Sequence, residues 1–515
     1  MAAWNNGYVT DIPYTTQIHR ETLPSWLAIA ALLLGHRPPD LTKPFAYADL
    51  GCGTGLTALT VAATSPQADV WAFDFNPAHI ESGRAMAEAA GLTNIHFVEA
   101  SFDDIAAMPA GTLPDFDFMV SHGVLTWVSR ENAATLMRIM GQRLRPGGLA
   151  YLSYNTVAGW VGMEPVRSLM RMVWKATNLR SDLAVPAIWA YLDRLKQGGA
   201  TLFQSHPTLE TRLEHLRGRD PRYLAHELLN EHWRPAQCED VFAAMADVKC
   251  TFIGSATLSD NIDAFSVPPG VAPLMTEAGN AALRETLRDI ASQQAFRRDI
   301  FRRGTPSLPQ AEHHALLEDT TLGWTGLTVE GDIVFRTSLG NMTGNVEAYR
   351  PLMDRLEAGP MTIGQARAIG PFPNLPIVEL LQAIALLLGG FAHPMSTGDT
   401  PAARQATARL NRAIAAANAA GGDIGHLVAP VLGTAILAEV TETLVVGDIL
   451  AGMTPNAETL GASLDAHLRR GGRTVQRDGQ AVTDPAEARS LAVGLARQII
   501  DQRLPVLRRL GVVEG

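Results

Sequence analysis

The densest signal for chemistry in this sequence is Asp49-Leu50-Gly51-Cys52-Gly53-Thr54-Gly55. Glycines at alternate positions let the backbone turn sharply and approach a ligand closely. A helix starting just after them turns its N–H groups and positive dipole end toward an anionic group. A dinucleotide fingerprint counted from Gly51 requires glycine at position 56, where Leu56 stands. Other polar residues end apolar runs: Asp74, His122 and the pair Tyr154-Asn155. Metal chemistry finds no ligand set. His226-Glu227 and Glu231-His232 miss the zincin spacing and read as a solvated helix face, and the adjacent His313-His314 cannot share one metal. Cys52, Cys238 and Cys250 are odd in number and far apart, giving neither a disulfide framework nor a zinc site, which fits a reducing cytoplasm.

These groups become a site only if a scaffold gathers strand ends at one edge. From Phe45 to Thr156 short apolar runs alternate with helical stretches. The strand candidates are 45–50, 69–74, 95–100, 117–122 and 149–155. That alternation predicts a parallel sheet covered on both faces, an α/β doubly wound fold. A helix over 26–35 precedes it, started by Thr22-Leu23-Pro24-Ser25 and followed by a proline-rich linker. After Trp160 the strand signal disappears. Apolar residues at 166, 169, 170, 173 and 174 share one helical face, so 161–232 reads as a helical insertion. A helix (238–248) and strand (249–258) then return to the sheet. Beyond SVPPGVAP (266–273), mostly helical segments carry two expected hairpins, across Glu330-Gly331 and Asp478-Gly479, in a winged-helix-like style.

With 515 residues, two to four domains are expected. The chain is 47% hydrophobic and 18% charged, a composition for burial rather than disorder. Its net charge of −10 counts against nucleic acid as the main partner. No apolar run reaches the ~20 residues that span a bilayer, and no signal peptide is visible, so a cytoplasmic protein without membrane insertion is expected.

The G-x-G-x-G loop preceded by an acid resembles class I S-adenosylmethionine-dependent methyltransferases. Asp74, the strand ending at His122, and Leu144-Arg145-Pro146-Gly147-Gly148 all fall where that family has such features. Narrower likenesses lie in Ile12-Pro13-Tyr14, SHGVLTWVS (121–129), LSYNTVAGW (152–160), YLAHELLNEHWRP (223–235) and FIGSATLSDN (252–261). They resemble bacterial methyltransferases carrying a methyltransferase regulatory domain, including rickettsial outer-membrane-protein lysine methyltransferases. Leu23 and Ala158 depart from the pattern, where histidine and proline are usual.

The resemblance implies S-adenosylmethionine as cofactor, S-adenosylhomocysteine as product and no metal. Cofactor contacts fall to Tyr14, Asp49, Gly51, Cys52, Gly53, Gly55, Asp74, Phe75, Asn76, Ser101, Phe102, His122 and Gly123, with Asp74 accepting from the ribose hydroxyls. Ser101 stands where relatives have an acid, and Phe102 either packs on the adenine or belongs to the core. His122, Tyr154 and Asn155 are the catalytic candidates, and Trp127, Tyr154 and Trp160 the substrate walls. His122 is alternatively a hydrogen-bonded structural residue, and both tryptophans alternatively core. The implied acceptor is a lysine of a protein; a small metabolite remains the alternative, and a non-catalytic binding module the third. The expected division is a methyltransferase domain with helical lid (1–160), an insertion walling the site and offering a dimer contact (161–232), and a return to the sheet (233–270, its regulatory region running to about 310). Two winged-helix-like domains follow (271–400 and 401–515).

Overall fold

The computed structural model describes residues 7–12, 17–304, 307–477 and 480–514. Its centre is a seven-stranded sheet of β1 (Phe45–Leu50), β2 (Ala68–Asp74), β3 (Ile95–Glu99), β4 (Phe116–Ser121), β5 (Leu144–Asn155), β6 (Cys250–Ser255) and β7 (Phe296–Arg303). The order is β3-β2-β1-β4-β5-β7-β6, with β7 antiparallel to both neighbours. The expected return to the sheet occurs, but β6 reaches it only through β7, so the sheet extends past residue 270. Alternation does not reveal β7 because FRRDIFRR carries charge on both faces. Arg297 and Asp299 are buried there as partners, their carboxylate and guanidinium 3.0 Å apart.

Helices α1 (Pro24–Leu33), α2 (Leu56–Thr64), α3 (Pro77–Ala90), α4 (Phe102–Ala107) and α5 (Arg130–Arg143) surround the first five strands. Pro24 opens α1, where a missing N–H costs nothing. The insertion forms α6 (Met163–Thr177), α7 (Ser181–Gln197), α8 (Thr201–Ser205), α9 (Pro207–Arg217) and α10 (Pro221–Leu228). Its apolar stripe, including Val166 and Met170, builds a separate core with Trp189, Leu213 and Trp233. Val9, Ile12 and Trp127 join that core, tying the insertion to the N-terminal segment. Helix α11 (Cys238–Asp247) then leads into β6.

The C-terminal half is mostly helical. The first hairpin pairs Val334–Thr337 with Gly340–Thr343 and turns at Ser338-Leu339, eight residues after the expected turn. Burial of Ile333 and Phe335 against Tyr349 sets this register, whereas Glu330-Gly331 sits in an exposed loop. In the second hairpin, Gln476–Arg477 pairs with Gln480–Ala481; the expected turn residues Asp478 and Gly479 lie outside the described residues. One hydrophobic core runs from α1, α2 and the sheet into residues 317–428.

Candidate active site

Strand order reverses between β1 and β4, and α/β sheets bind ligands beyond the strand ends at such a point. A cavity of about 510 Å³ lies there. The glycine loop forms its floor. Gly51, Gly53 and Gly55 all have positive φ, each under a different constraint. A Cβ at Gly51 would meet Val124 at 2.5 Å and one at Gly55 would meet Phe97 at 2.3 Å, while one at Gly53 would meet nothing within 4 Å. Gly53 therefore borders ligand space, whereas Gly55 starts α2 without lining the cavity.

Asp74 ends β2 with its carboxylate already oriented. Gly53 N–H donates to Oδ2 and Asn76 N–H to Oδ1, each at 2.9 Å, and His79 Nδ1 lies 3.3 Å from Oδ1. Oδ2 keeps acceptor capacity toward the cavity. Asp49, also lining it, has its carboxyl pushed up to about 7 by burial and then by the neighbouring Asp74 charge.

Gly51, Cys52, Phe75, Ser101, Phe102, His122, Gly123, Trp127, Asn155 and Trp160 also line the cavity. Besides Gly55, three sequence candidates are placed or engaged otherwise, and Tyr14 lies outside the described residues. Asn76 caps α3 by accepting from Ala78 N–H at 3.0 Å and does not reach the cavity. Ser101 lines it, yet its hydroxyl and backbone are committed to a capping box with Asp104. Tyr154 is the clearest correction. It is wholly buried on the opposite face of the sheet, donating its hydroxyl to Asp299 Oδ2 at 2.5 Å, because alternation along β5 turns it away from Asn155.

The far end of the cavity holds His122 together with groups that sequence reasoning missed, His19, Phe296 and Arg298. His122 lies 2.8 Å through Nδ1 from the Tyr151 hydroxyl, and its ring stacks on His19 with centroids 3.6 Å apart. Burial, then the charges of His19 and Arg298, holds the His122 imidazole well below its ordinary value; burial holds His19 down to about 4. Burial would raise the Glu21 carboxyl, but Arg298 and Arg20 bring it below its usual range. Phe296 and Arg298 of β7 complete this end, with the guanidinium 5.0 Å from the Phe296 ring. Two buried polar atoms here have no hydrogen-bond partner among the described residues: Asn155 Nδ2 and Arg298 Nε.

Helix α10 supplies a further wall through Tyr223, His226 and Glu227, facing Tyr8 of the N-terminal segment. His226 and Glu227 thus face the cavity rather than a solvated helix face. Nothing local marks His226, whose ring packs against Tyr8, more than two hundred residues upstream. Among the described residues, no group of three His, Cys, Asp or Glu is arranged to hold a metal ion.

A profile described as a methyltransferase domain matches residues 48–148, and one described as a predicted methyltransferase regulatory domain matches 220–303. An uncharacterized protein of Synechocystis sp. is 30% identical over 512 residues, 99% of each chain. The chain belongs to the class I S-adenosylmethionine-dependent methyltransferases that carry a regulatory domain. Trans-aconitate 2-methyltransferase of Methylobacterium radiotolerans is 32% identical to this methyltransferase over 201 residues, 39% of this chain and 66% of that one. The fold matches that of PKMT2 from Rickettsia typhi in complex with AdoHcy at a TM-score of 0.68 and 19% identity, covering 95% of this chain and 99% of that one.

The residues present fit the methyltransferase cofactor. Gly53 leaves room for close backbone approach, Asp74 presents an oriented acceptor, Phe75 and Phe102 offer ring faces, and Asp49 is a buried carboxyl whose charged form a sulfonium ligand would favour. The regulatory-domain region of this methyltransferase is part of the catalytic sheet. It contributes β6 and β7 and part of the cavity lining, from His226 on α10 to Arg298 on β7.

Proposed function

We propose that this enzyme is an N-methyltransferase whose acceptor is a lysine side chain of a protein. The carrying observation is the far end of the cavity, where the Arg298 guanidinium and two imidazoles held neutral stand against Phe296 and Trp160. A lysine with a free pKa of ~10.4 must lose its proton before its nitrogen can attack. A fixed cation and apolar walls favour that neutral amine. When bound, S-adenosylmethionine supplies the electrophilic methyl group. The protein's work is to align the nitrogen and exclude water. In the neutral tautomer whose Nδ1–H donates to the Tyr151 hydroxyl oxygen, His122 offers Nε2 as acceptor toward an N–H, and the Asn155 carboxamide offers a second contact. Trp160, its indole N–H fixed on Ala295 O at 2.9 Å, supplies a ring face for a methylammonium product. Net acidity favours approach of lysine-rich segments, most strongly at low salt. The family resemblance to lysine methyltransferases and the likeness to PKMT2 along nearly the whole chain support the same reading.

A small carboxylic acid is the second reading. Arg298 Nε lacks a partner, and a carboxylate would satisfy it; a trans-aconitate methyltransferase is among the relatives. Tritiated methyl transfer into a size-fractionated lysate separates the two. Label recovered in protein as methyl-lysine after acid hydrolysis is the expected result. Label confined to small molecules as base-labile ester overturns the lysine acceptor. We also place the enzyme in the cytoplasm and read the exposed Met172, Leu183 and Tyr191 of the insertion as a homodimer contact, which light scattering tests.

A further inference from the structure

Asp260 sits in a single 3-10 turn, Leu258–Asn261, that follows β6. It is 5% exposed, and two distant segments share its carboxylate. Gln294 Nε2 donates to Oδ2 at 2.9 Å, and Ser338 Oγ donates to Oδ1 at 2.6 Å. Ser338 belongs to the tip of the hairpin Val334–Thr337/Gly340–Thr343, deep in the C-terminal half. The helix Ile377–Leu388 packs on the same turn, with Leu258 and Leu380 in one core.

Gln294 anchors the acceptor wall. Its carbonyl accepts from Thr156 Oγ1, and the next carbonyl, of Ala295, accepts from Thr156 N–H at 3.2 Å and Trp160 Nε1 at 2.9 Å. Gly159 packs so closely on this dipeptide that a Cβ would lie 2.3 Å from Ala295 Cα. Ala295, Phe296, Asn155 and Trp160 all line the cavity. A chain of short contacts therefore runs from the hairpin tip to the place where an acceptor must be aligned.

We propose that Ser338 is a positioning residue for methyl transfer: through Asp260 and Gln294 it sets the wall of Asn155, Trp160 and Phe296, so that the C-terminal half completes the acceptor site. In-line transfer is sensitive to displacements of about 1 Å, so a loosened wall weakens acceptor alignment before it disturbs the cofactor. The glycine loop follows β1 and Asp74 ends β2, across the sheet from this chain of contacts. The proposal holds for an amine or a carboxylate acceptor alike.

The test uses the full-length protein and the variants Ser338→Ala, Ser338→Thr and Asp260→Asn. S-adenosylmethionine affinity is read by calorimetry, backbone exchange over 156–160 by deuterium uptake, and initial rates with the labelled lysate fraction as acceptor. Ser338→Ala is expected to keep cofactor affinity within about twofold, to speed exchange over 156–160, and to raise the acceptor KM about three- to tenfold with a smaller change in kcat. Asp260→Asn should do the same, and Ser338→Thr, which keeps the hydroxyl, should restore all readouts. Unaltered exchange over 156–160 in Ser338→Ala overturns the proposal whatever the acceptor. So does a parallel loss of cofactor affinity and melting temperature, which marks a merely structural hydrogen bond.

Discussion

Asp49 and Asp74 both line the cavity, and we propose that they recognise the cofactor by different physics. Asp74 is held by two backbone amides, so a ribose contact there would need no reorganisation. Asp74→Ala should weaken S-adenosylmethionine binding by about 1.5–3 kcal/mol, the range for hydrogen bonds to a charged group, measured by calorimetry. Asp49 is instead poised by burial, with its carboxyl near 7 against ~3.9 in an unfolded chain. Between those values the folded protein holds a proton that the unfolded chain has released. This residue's contribution to stability therefore falls as pH rises from about 4 toward 7 and is flat above. A cationic sulfonium favours the charged carboxylate, so cofactor affinity should strengthen over the same interval. Asp49→Asn should flatten both slopes; melts and calorimetry on either side of neutrality check this, and an unchanged slope refutes the role.

At the scale of elements, β7 decides more than its length implies. Its alternate residues serve two faces: Phe296 and Arg298 reach the cavity, while Arg297 and Asp299 enter a buried network with Glu285, Asp289 and Tyr154. Arg297 Nη1 donates to Asp289 at 2.7 Å and Nη2 to Glu285 at 3.0 Å, which joins β7 to the helix Ala281–Ser292. Tyr154→Phe takes a donor from a buried carboxylate and should cost about 1–3 kcal/mol of stability. Cofactor affinity should hold. Denaturant unfolding paired with calorimetry checks both; a turnover defect without lost stability would return Tyr154 to the chemistry.

At the scale of the molecule, the C-terminal half covers one face of the sheet. The helix Pro401–Ala419 packs on both α2 and α3, and residues 317–428 share a core with β1 and α1. A chain ending near residue 304 would expose Leu27, Ile29, Leu59 and neighbours that are now buried. Such a truncation should aggregate or lose cooperative unfolding, seen by light scattering and thermal melts. A soluble monomeric fragment that binds S-adenosylmethionine would show that the halves are separable.

Much of this was local and therefore legible. The glycine loop, the acid at the end of β2, five parallel strands and the helical insertion each follow from patterns within a few residues. Strand periodicity, glycine backbone freedom and apolar helix faces act over such distances. The acceptor end was not legible. His19, His226, Arg298 and Ser338 become neighbours of the site through contacts spanning scores to hundreds of residues, and the charged strand β7 has its face assignment decided by partners rather than by hydropathy. Tyr154 shows the limit most sharply. Its position at a strand end was readable, but the side on which it ends depends on register against β7, and one residue of alternation separates the cavity from the buried network.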